Sequence, residues 1–427
     1  MKKRLFVISV DSLFFEDLDW LRECPNLYRL YERGSVVQKM KSTYPAMTYV
    51  AHSTMMTGCH EEKHGIYHNE RVEPQMHHPR WHWHRSQLKT KTIFDAAKEA
   101  GYTTACVNWP VTGGDPSIDY LVPEIWADTA QEDVRPRFLS ACSKPVVPLF
   151  DRYRHILNWD CIPELDDFGV ACLKEILREY RPEVTFLHLS YLDRARHDHG
   201  TYSEEARHAL KECDRKVGEL FEILKSQGIF EKTDFFVMGD HGHLPVNRVV
   251  QLNTVLAREG LLDLDAEGHI LDYRCYIHAA GLSAHVVLKD PEDVRTRRTV
   301  EELLKIWQED EKYGCQQVFT KEQLKELHLV GPFEYAIESR PGTSFGGRCT
   351  GEMVCDAQDP AQKLSVSAHG HLPDRGPQPI FFGAGPDIRS GVTVERGDLI
   401  DEAPTYGAVL GVSLPWAQGR AMKELLK

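Results

Sequence analysis

Short apolar runs alternate with helix-like segments over most of this chain, and that alternation constrains its fold more than any other feature. The runs are LFVISV from residue 5, TTACVNW from 103, VTFLHLSYL from 184, FFVM from 235 and PIFFGAG from 379. Their hydrophobicity is continuous rather than alternating, the mark of strands covered on both faces in a largely parallel sheet. Between two of them, residues 203–228 place Ala206, Leu210, Cys213, Val217, Leu220, Phe221 and Leu224 at steps of three and four. Such spacing predicts an amphipathic helix, opened by Ser203 as N-cap and closed by Gly228. Strand, helix and strand in succession make an α/β crossover.

A chain of 427 residues can bury a large core, and domains usually hold roughly 100–200 residues. Residues 1–245 with 365–427 are expected to form one catalytic core. Residues 246–364 are expected to form a smaller inserted α/β subdomain, because a charged helical run and the Gly/Pro-containing RPGTSFGGRCTGE break the pattern there. The formal charge of −13 would repel a long nucleic acid. Eleven cysteines without a C-x-x-C pair fit free thiols in a reducing, cytoplasmic setting. The apolar stretch after the basic start MKKR is six residues long before Asp11, so it reads as a core strand rather than a signal peptide. No segment approaches the ~20 apolar residues of a membrane helix, so no membrane attachment is expected. Oligomeric state is not legible.

The acids and imidazoles gather where the runs stop. Asp11 follows LFVISV, Asp193 follows FLHLSYL, and Asp240 and His241 follow FFVMG. A buried charge is costly unless paired or bound to metal. Ligands bind at the carboxyl edge of open parallel sheets, so these stretches are expected to converge in one crevice around a shared metal. Asp193 and His197, four apart, meet on one face if the chain turns helically there, and His369 in SAHGHLPD can complete that set. Asp11, Asp240 and His241 make a second. Oxygen and nitrogen donors without thiolate suit Zn²⁺ or another divalent first-row ion. Thr48 stands after a Pro-containing turn at the start of the helical pattern YVAHSTMM, where the helix dipole and a metal would activate its hydroxyl. Asn69 can donate to developing phosphoryl charge. Singly, Asp11 or Thr48 reads as a helix cap and the 193/197 pair as a surface ion pair. Their conjunction favours a metal site. His243 and His371 are expected to support the ligands rather than bind metal. His52, His60 and His64 are expected to be structural.

These residues resemble the nucleotide pyrophosphatase/phosphodiesterase family of the alkaline phosphatase superfamily. The matching pieces, in the family's order, are Asp11, YPAMT with Thr48, HGIYHN with Asn69, DRARH with Asp193 and His197, GDHG with Asp240 and His241, and AHG with His369. The tail DEAPTYGAVLGVSLP also resembles the family's closing helix. The resemblance implies an alkaline-phosphatase-like α/β fold with a mostly parallel central sheet and helices on both faces. It also implies two zinc ions, one on Asp193, His197 and His369, the other on Asp11, Asp240, His241 and the Thr48 oxygen. Thr48 would attack phosphorus to give a phosphothreonine that water then hydrolyses. Two departures touch the substrate side: Asp11-Ser12 replaces the usual Asp-Gly, and Tyr49-Val50-Ala51 replaces Phe-Pro-Asn.

The expected substrate is a small phosphodiester or phosphoanhydride. The rival is a phosphomonoesterase or a phosphonate hydrolase of the phosphonoacetate type. Monoester enzymes need extra cations, often an arginine, and the sequence near Thr48 offers only Lys41 and Lys63, which tips the reading toward diesters. A phosphoglycerate mutase would use serine and manganese, and a silent metal-binding homologue would need neither Thr48 nor Asn69. Tyr49, Trp81, Trp83, Asn108 and Trp109 are expected substrate contacts. The cluster HHPRWHWH at 77–84 reads as packing or pocket wall rather than a third metal site.

Overall fold

In the computed structural model, which describes residues 2–128, 132–157 and 162–427, eight strands form the central sheet. They are β1 (Leu5–Val10), β2 (Ser35–Lys41), β3 (Thr104–Val107), β4 (Tyr120–Val122), β5 (Val184–Leu189), β6 (Asp234–Met238), β7 (Phe381–Ala384) and β8 (Val392–Asp398). Their spatial order is β8-β2-β7-β6-β1-β5-β3-β4. Only β7 runs antiparallel to its neighbours, β2 and β6. Every residue of β1, β3, β5 and β6 is buried, as continuous apolar runs covered on both faces require.

The helices fall into two packed groups. One contains Pro25–Arg33, Ile162–Glu179, Tyr191–His199 and Glu204–Ser226; the other contains Thr48–Thr57, Ile93–Glu99 and Glu402–Leu410. The 204–226 helix buries the full stripe expected from its sequence, and the Ser203 hydroxyl accepts the Ala206 N–H at 3.1 Å. Gly228 ends the segment at φ 66°, a left-handed turn natural to glycine.

Between β6 and β7 the chain builds a second antiparallel sheet, Cys275–Ala280, Ser283–Leu288, Tyr335–Ser339 and Cys315–Thr320 in that spatial order. It has its own apolar core, with Leu256, Ile277, Val286, Leu304, Trp307 and Ile337 among its members. The helix Val294–Glu309 packs on it, started by Asp293, whose carboxylate accepts the Arg295 and Thr296 N–H groups. The strand Leu244–Val250 links the two regions: it pairs with Gly342–Phe345 and Val354–Asp356, and near its start with Ser367–Ala368. Position 245 therefore lies inside a strand rather than at a break. Among the described residues no helix is long and apolar enough to cross a membrane.

Candidate active site at the carboxyl edge of the sheet

The parallel strands β1, β5 and β6 end side by side, and each is followed by donors. Asp11 comes directly after β1. Asp240 and His241 follow β6 across Gly239, where an added Cβ would sit 1.9 Å from the Leu13 carbonyl oxygen. Only glycine allows the two strand ends to approach that closely. Asp193 and His197 share the helix Tyr191–His199 after β5, one turn apart. His369 follows the Ser367–Ala368 strand, and Gly370 beside it adopts φ 97° with its α-carbon against the Ala280 carbonyl. Thr48 is the first residue of its helix; Met47 occupies the cap position, so Thr48 is not an N-cap.

One donor group joins Asp11, Asp240, His241 and Thr48. His241 Nε2 lies 3.4 Å from Asp11 Oδ1, 3.3 Å from Asp240 Oδ2 and 3.2 Å from Thr48 Oγ1. Donors about 2.0–2.1 Å from a tetrahedral zinc ion are ~3.3–3.4 Å apart, so these separations match a metal cage. Asp11 Oδ1 and Asp240 Oδ2 are buried without a hydrogen-bond partner. Burial, reinforced by Asp240 and Asp193, holds the Asp11 carboxyl well above the ordinary carboxylate range. Burial likewise pushes Asp240 up to about 6. His241 is driven well below its usual value by burial and then by His369, which keeps it a neutral ligand. Two buried carboxylate oxygens without partners beside a neutral imidazole call for a cation, and the residues present fit one.

Their supports are also buried. Asp240 Oδ1 accepts the Ser12 N–H at 2.9 Å. His188 Nε2 donates to Asp11 Oδ2 at 3.1 Å, with its Nδ1 on the Asn108 carbonyl at 3.0 Å. Burial lowers the His188 pKa, but the Asp11 and Glu124 carboxylates beside it outweigh that and raise it well above the imidazole range. Ser12 adopts φ 60°, the region a glycine takes freely, so the Ser12 departure carries local backbone strain.

The second group is built on Asp193. His197 Nε2 stands 3.4 Å from its Oδ2, and His369 Nε2 stands 4.0 Å from its Oδ1. Candidate ligand atoms of Asp193, His241, His243 and His369 all lie there within 4.8 Å of one another. His243, read from sequence as a supporting residue, thus sits among the donors, with Nε2 only 2.6 Å from Asp193 Oδ1. Burial pushes Asp193 up, but His197, His243 and His369 together hold it well below the carboxylate range. Burial takes His369 down to about 4. The outer nitrogens of these rings are fixed: His197 Nδ1 donates to the Ser367 carbonyl at 2.8 Å, and His369 Nδ1 to the Ala46 carbonyl at 2.9 Å.

A cleft of about 370 Å³ opens over both groups, lined by Asp11, Thr48, Asp193, His197 and His369, and further out by Tyr49, Asn69, Trp81 and Glu124. Asn69 Oδ1 accepts the Tyr49 N–H at 3.0 Å, which leaves its side-chain NH2 to donate elsewhere. Trp83, Asn108 and Trp109 do not line the cleft. Trp83 is buried against Trp126, Asn108 turns at φ 54° with its side chain toward the Leu165 carbonyl, and Trp109 is fully buried with its N–H on the His52 carbonyl. Asn108 and Trp109 continue the apolar run of β3 into the core, and Trp83 is buried from a loop between two histidines. His52 is tied to the Thr48 carbonyl and the Ser9 hydroxyl, a structural position.

Sequence reasoning missed Trp126, Leu157, Leu165, Glu124 and Arg194, all of which line the cleft. Glu124 lies just beyond β4, the same signal that located the other acids. Lys41 is exposed and Lys63 is drawn to the Trp416 carbonyl; among the described residues Arg194, adjacent to Asp193, is the cation that lines the cleft.

Topology and donors together define an α/β fold of the alkaline phosphatase type with candidate metal ligands at its carboxyl edge. Residues 5–363 match the family described as type I phosphodiesterase / nucleotide pyrophosphatase, and the chain belongs to that family. His369 lies beyond the matched stretch. The chain is 26% identical over 248 residues to mouse ectonucleotide pyrophosphatase/phosphodiesterase family member 1, covering 55% of this chain and 23% of that protein. It is 25% identical over 250 residues to a venom phosphodiesterase of Macrovipera lebetinus, covering 56% and 25%. The chain therefore spans about a quarter of the length of these relatives. Murine ectonucleotide pyrophosphatase/phosphodiesterase 5 superposes over the whole of both chains at 18% identity with a TM-score of 0.66. Its inactive threonine-to-alanine variant, solved in complex with AMP, gives 0.68 at the same identity and coverage.

Proposed function

We propose that this chain hydrolyses small-molecule phosphodiesters or phosphoanhydrides with Thr48 as the nucleophile. The observation that carries the reading is the position of Thr48 Oγ1: 3.2 Å from His241 Nε2, on the cleft floor, at the first turn of a helix. In this reading Asp11, Asp240, His241 and Thr48 would hold one zinc ion, and Asp193, His197 and His369 would hold the other. Bound there, zinc would supply positive charge that favours the threonine alkoxide and draws electrons from phosphoryl oxygens. Thr48 Oγ forms a bond to phosphorus as the bond to the leaving oxygen breaks, giving a phosphothreonine. Water then cleaves the phosphorus–Oγ bond and restores the hydroxyl. The Asn69 NH2 donates to a phosphoryl oxygen that gains charge in both steps. The backbone N–H groups of the first helical turn, among the four without intrahelical partners, favour the same anion.

The loss of activity in a threonine-to-alanine relative supports Thr48, and the AMP in that structure supports a small phosphorylated ligand. The domain division is part of the proposal: residues 246–364 form the inserted unit, supported by their separate core. A cytoplasmic setting is supported by the ten cysteines of the described residues, all unpaired. The formal net charge of −13 favours a small ligand over a long nucleic acid. One observation favours the phosphomonoesterase or phosphonate reading, namely Arg194 in the cleft wall, although its Nε is held by Asp198 at 2.6 Å.

The deciding experiment compares initial rates on bis(p-nitrophenyl) phosphate and p-nitrophenyl phosphate, using zinc-reconstituted protein and a chelated control. A chelator-sensitive preference for the diester is expected. Preference for the monoester would select the rival, and full turnover by Thr48→Ala with normal metal content would remove the mechanism.

A further inference from the structure

The inserted sheet meets the catalytic core at the residue before Asn69. Asn69 lines the cleft, while the buried ring of its neighbour His68 turns onto the inserted strand Cys275–Ala280. His68 Nε2 lies 3.0 Å from the Ala279 carbonyl oxygen, and its Nδ1 lies 2.9 Å from both the Glu70 backbone nitrogen and His278 Nε2. These contacts fix the protons. A carbonyl can only accept, so His68 carries its hydrogen on Nε2 and leaves Nδ1 bare. A backbone N–H can only donate, which agrees with a bare Nδ1, and His278 must then donate to the same atom from its Nε2. Both rings are neutral: burial takes His68 down to about 3 and holds His278 well below the imidazole range.

The peptide between Asn69 and Glu70 is gripped at both edges. Its carbonyl accepts the His82 N–H at 2.9 Å, and its N–H donates to the His68 ring. The first grip comes from the catalytic core. The second is set by the insertion, because Ala279 and His278 hold that ring. With the peptide fixed, the Tyr49 N–H on Asn69 Oδ1 at 3.0 Å settles the side chain and leaves its NH2 for the cleft. The same inserted hairpin also reaches the metal donors. At its tip Gly281 takes φ 68°, and the Leu282 N–H donates to the His369 carbonyl at 2.8 Å.

Resting on the hydrolase reading, we propose that His278 is a positioning residue for that reaction: through His68 it sets the direction in which the Asn69 amide donates to the phosphoryl oxygen. The inserted unit thus contributes to turnover without lining the cleft at this point. An amide that meets charge gained during the reaction acts on kcat, and its misplacement by about 1 Å can cost about a hundredfold.

The test is a double-mutant cycle of His278→Phe with Asn69→Ala, using zinc-reconstituted protein and bis(p-nitrophenyl) phosphate. Phenylalanine keeps the ring and removes the donor. Alone, Asn69→Ala is expected to lower kcat about a hundredfold or more, and His278→Phe about tenfold or more. For His278→Phe, KM and zinc content are expected to stay within about threefold of wild type. In the Asn69→Ala background the same change is expected to cost less than about twofold, because no amide is left to aim. His278→Gln keeps an N–H donor and is expected to recover most of the single loss. An equal loss with and without Asn69, no loss at all, a loss confined to KM, or a Gln variant as slow as the Phe variant overturns the assignment. If the Phe variant does not fold, nitrogen-15 NMR of wild-type histidines decides: His68 and His278 are expected as neutral Nε2–H tautomers, and a His68 proton on Nδ1 overturns the chain of bonds. Wild-type protein without zinc-dependent turnover of any diester overturns the hydrolase reading and this one with it, whereas turnover with an additive cycle overturns only the positioning.

Discussion

The helix that carries Asp193 and His197 is anchored by a buried ion pair, and breaking it should loosen the metal site from behind. Arg196 is fully buried; its Nη2 donates to Asp17 Oδ2 at 2.6 Å and its Nη1 to the Thr201 carbonyl at 2.7 Å. Its guanidinium also lies 3.9 Å above the Phe14 ring centre. Burial raises the Asp17 carboxyl even with Arg196 pulling it down, so desolvation is the larger effect at this pair. Replacing Arg196 with Met leaves Asp17 buried and unpaired, at a cost of about 3–5 kcal/mol. Adding Asp17→Asn removes the stranded charge, so the double variant should recover at least ~2 kcal/mol of that loss. A chain with two apolar cores need not unfold in one step, so the assay is amide hydrogen exchange over residues 191–199 in zinc-free protein. A loss of 3–5 kcal/mol corresponds to a fall in protection of roughly two to three and a half powers of ten, because ~1.4 kcal/mol is tenfold. Zinc affinity is measured in parallel, since metal that binds only the native state would mask the loss. The reasoning is refuted if Arg196→Met changes protection by less than tenfold, or if the double variant is as poorly protected as the single one.

Thr48→Ala should lower kcat on bis(p-nitrophenyl) phosphate by about a thousandfold or more while zinc content by mass spectrometry stays at the wild-type level. His243→Phe, which removes the 2.6 Å contact to Asp193, should weaken zinc binding about 10–100-fold in a chelator competition, and His243→Gln should retain most of it. Ser12→Gly relieves a φ of 60° and deletes a buried hydroxyl that has no partner, so it should stabilise by ~1 kcal/mol in urea unfolding; a destabilised variant would show the serine is favourable there. Burial raises Glu61 to about 8 from an ordinary 4.5, so the native state holds its proton more tightly than the unfolded chain. The stability this group contributes is full below pH 4.5 and is lost as pH rises through about 8. Glu61→Gln should therefore exceed wild type in urea midpoint at pH 8.5 by more than at pH 5, and parallel profiles would refute the assignment.

The strands were legible because continuous apolar runs in this chain are buried on both faces, so hydrophobicity alone marked β1, β5 and β6 and the acids at their ends. The antiparallel direction of β7 was not legible: PIFFGAG reads alike in either orientation, and its direction is set by the long excursion that precedes it. Trp83, Asn108 and Trp109 show the opposite failure. Residues that would suit a substrate wall also suit a core, and sequence gives no sign of which of the two they face.

The donors and the substrate wall differ in legibility for a physical reason. A metal cage needs several acids and imidazoles at once, and such residues are expensive to bury, so their presence at strand ends is already informative. A wall of aromatic rings is cheap to bury anywhere, and Trp126, Leu157 and Leu165 carry no mark before folding brings them to Thr48. Glu124 lies between these cases. It follows β4 as Asp11 follows β1, but it meets no second acid or histidine in sequence to draw attention to it. Only the assembled cleft brings it to the lining, with one carboxylate oxygen 3.6 Å from the imidazole that steadies Asp11. The same side chain thus touches the support of one metal cage and is part of the cleft lining. A change there should alter metal retention only to the extent that His188 needs its second carboxylate.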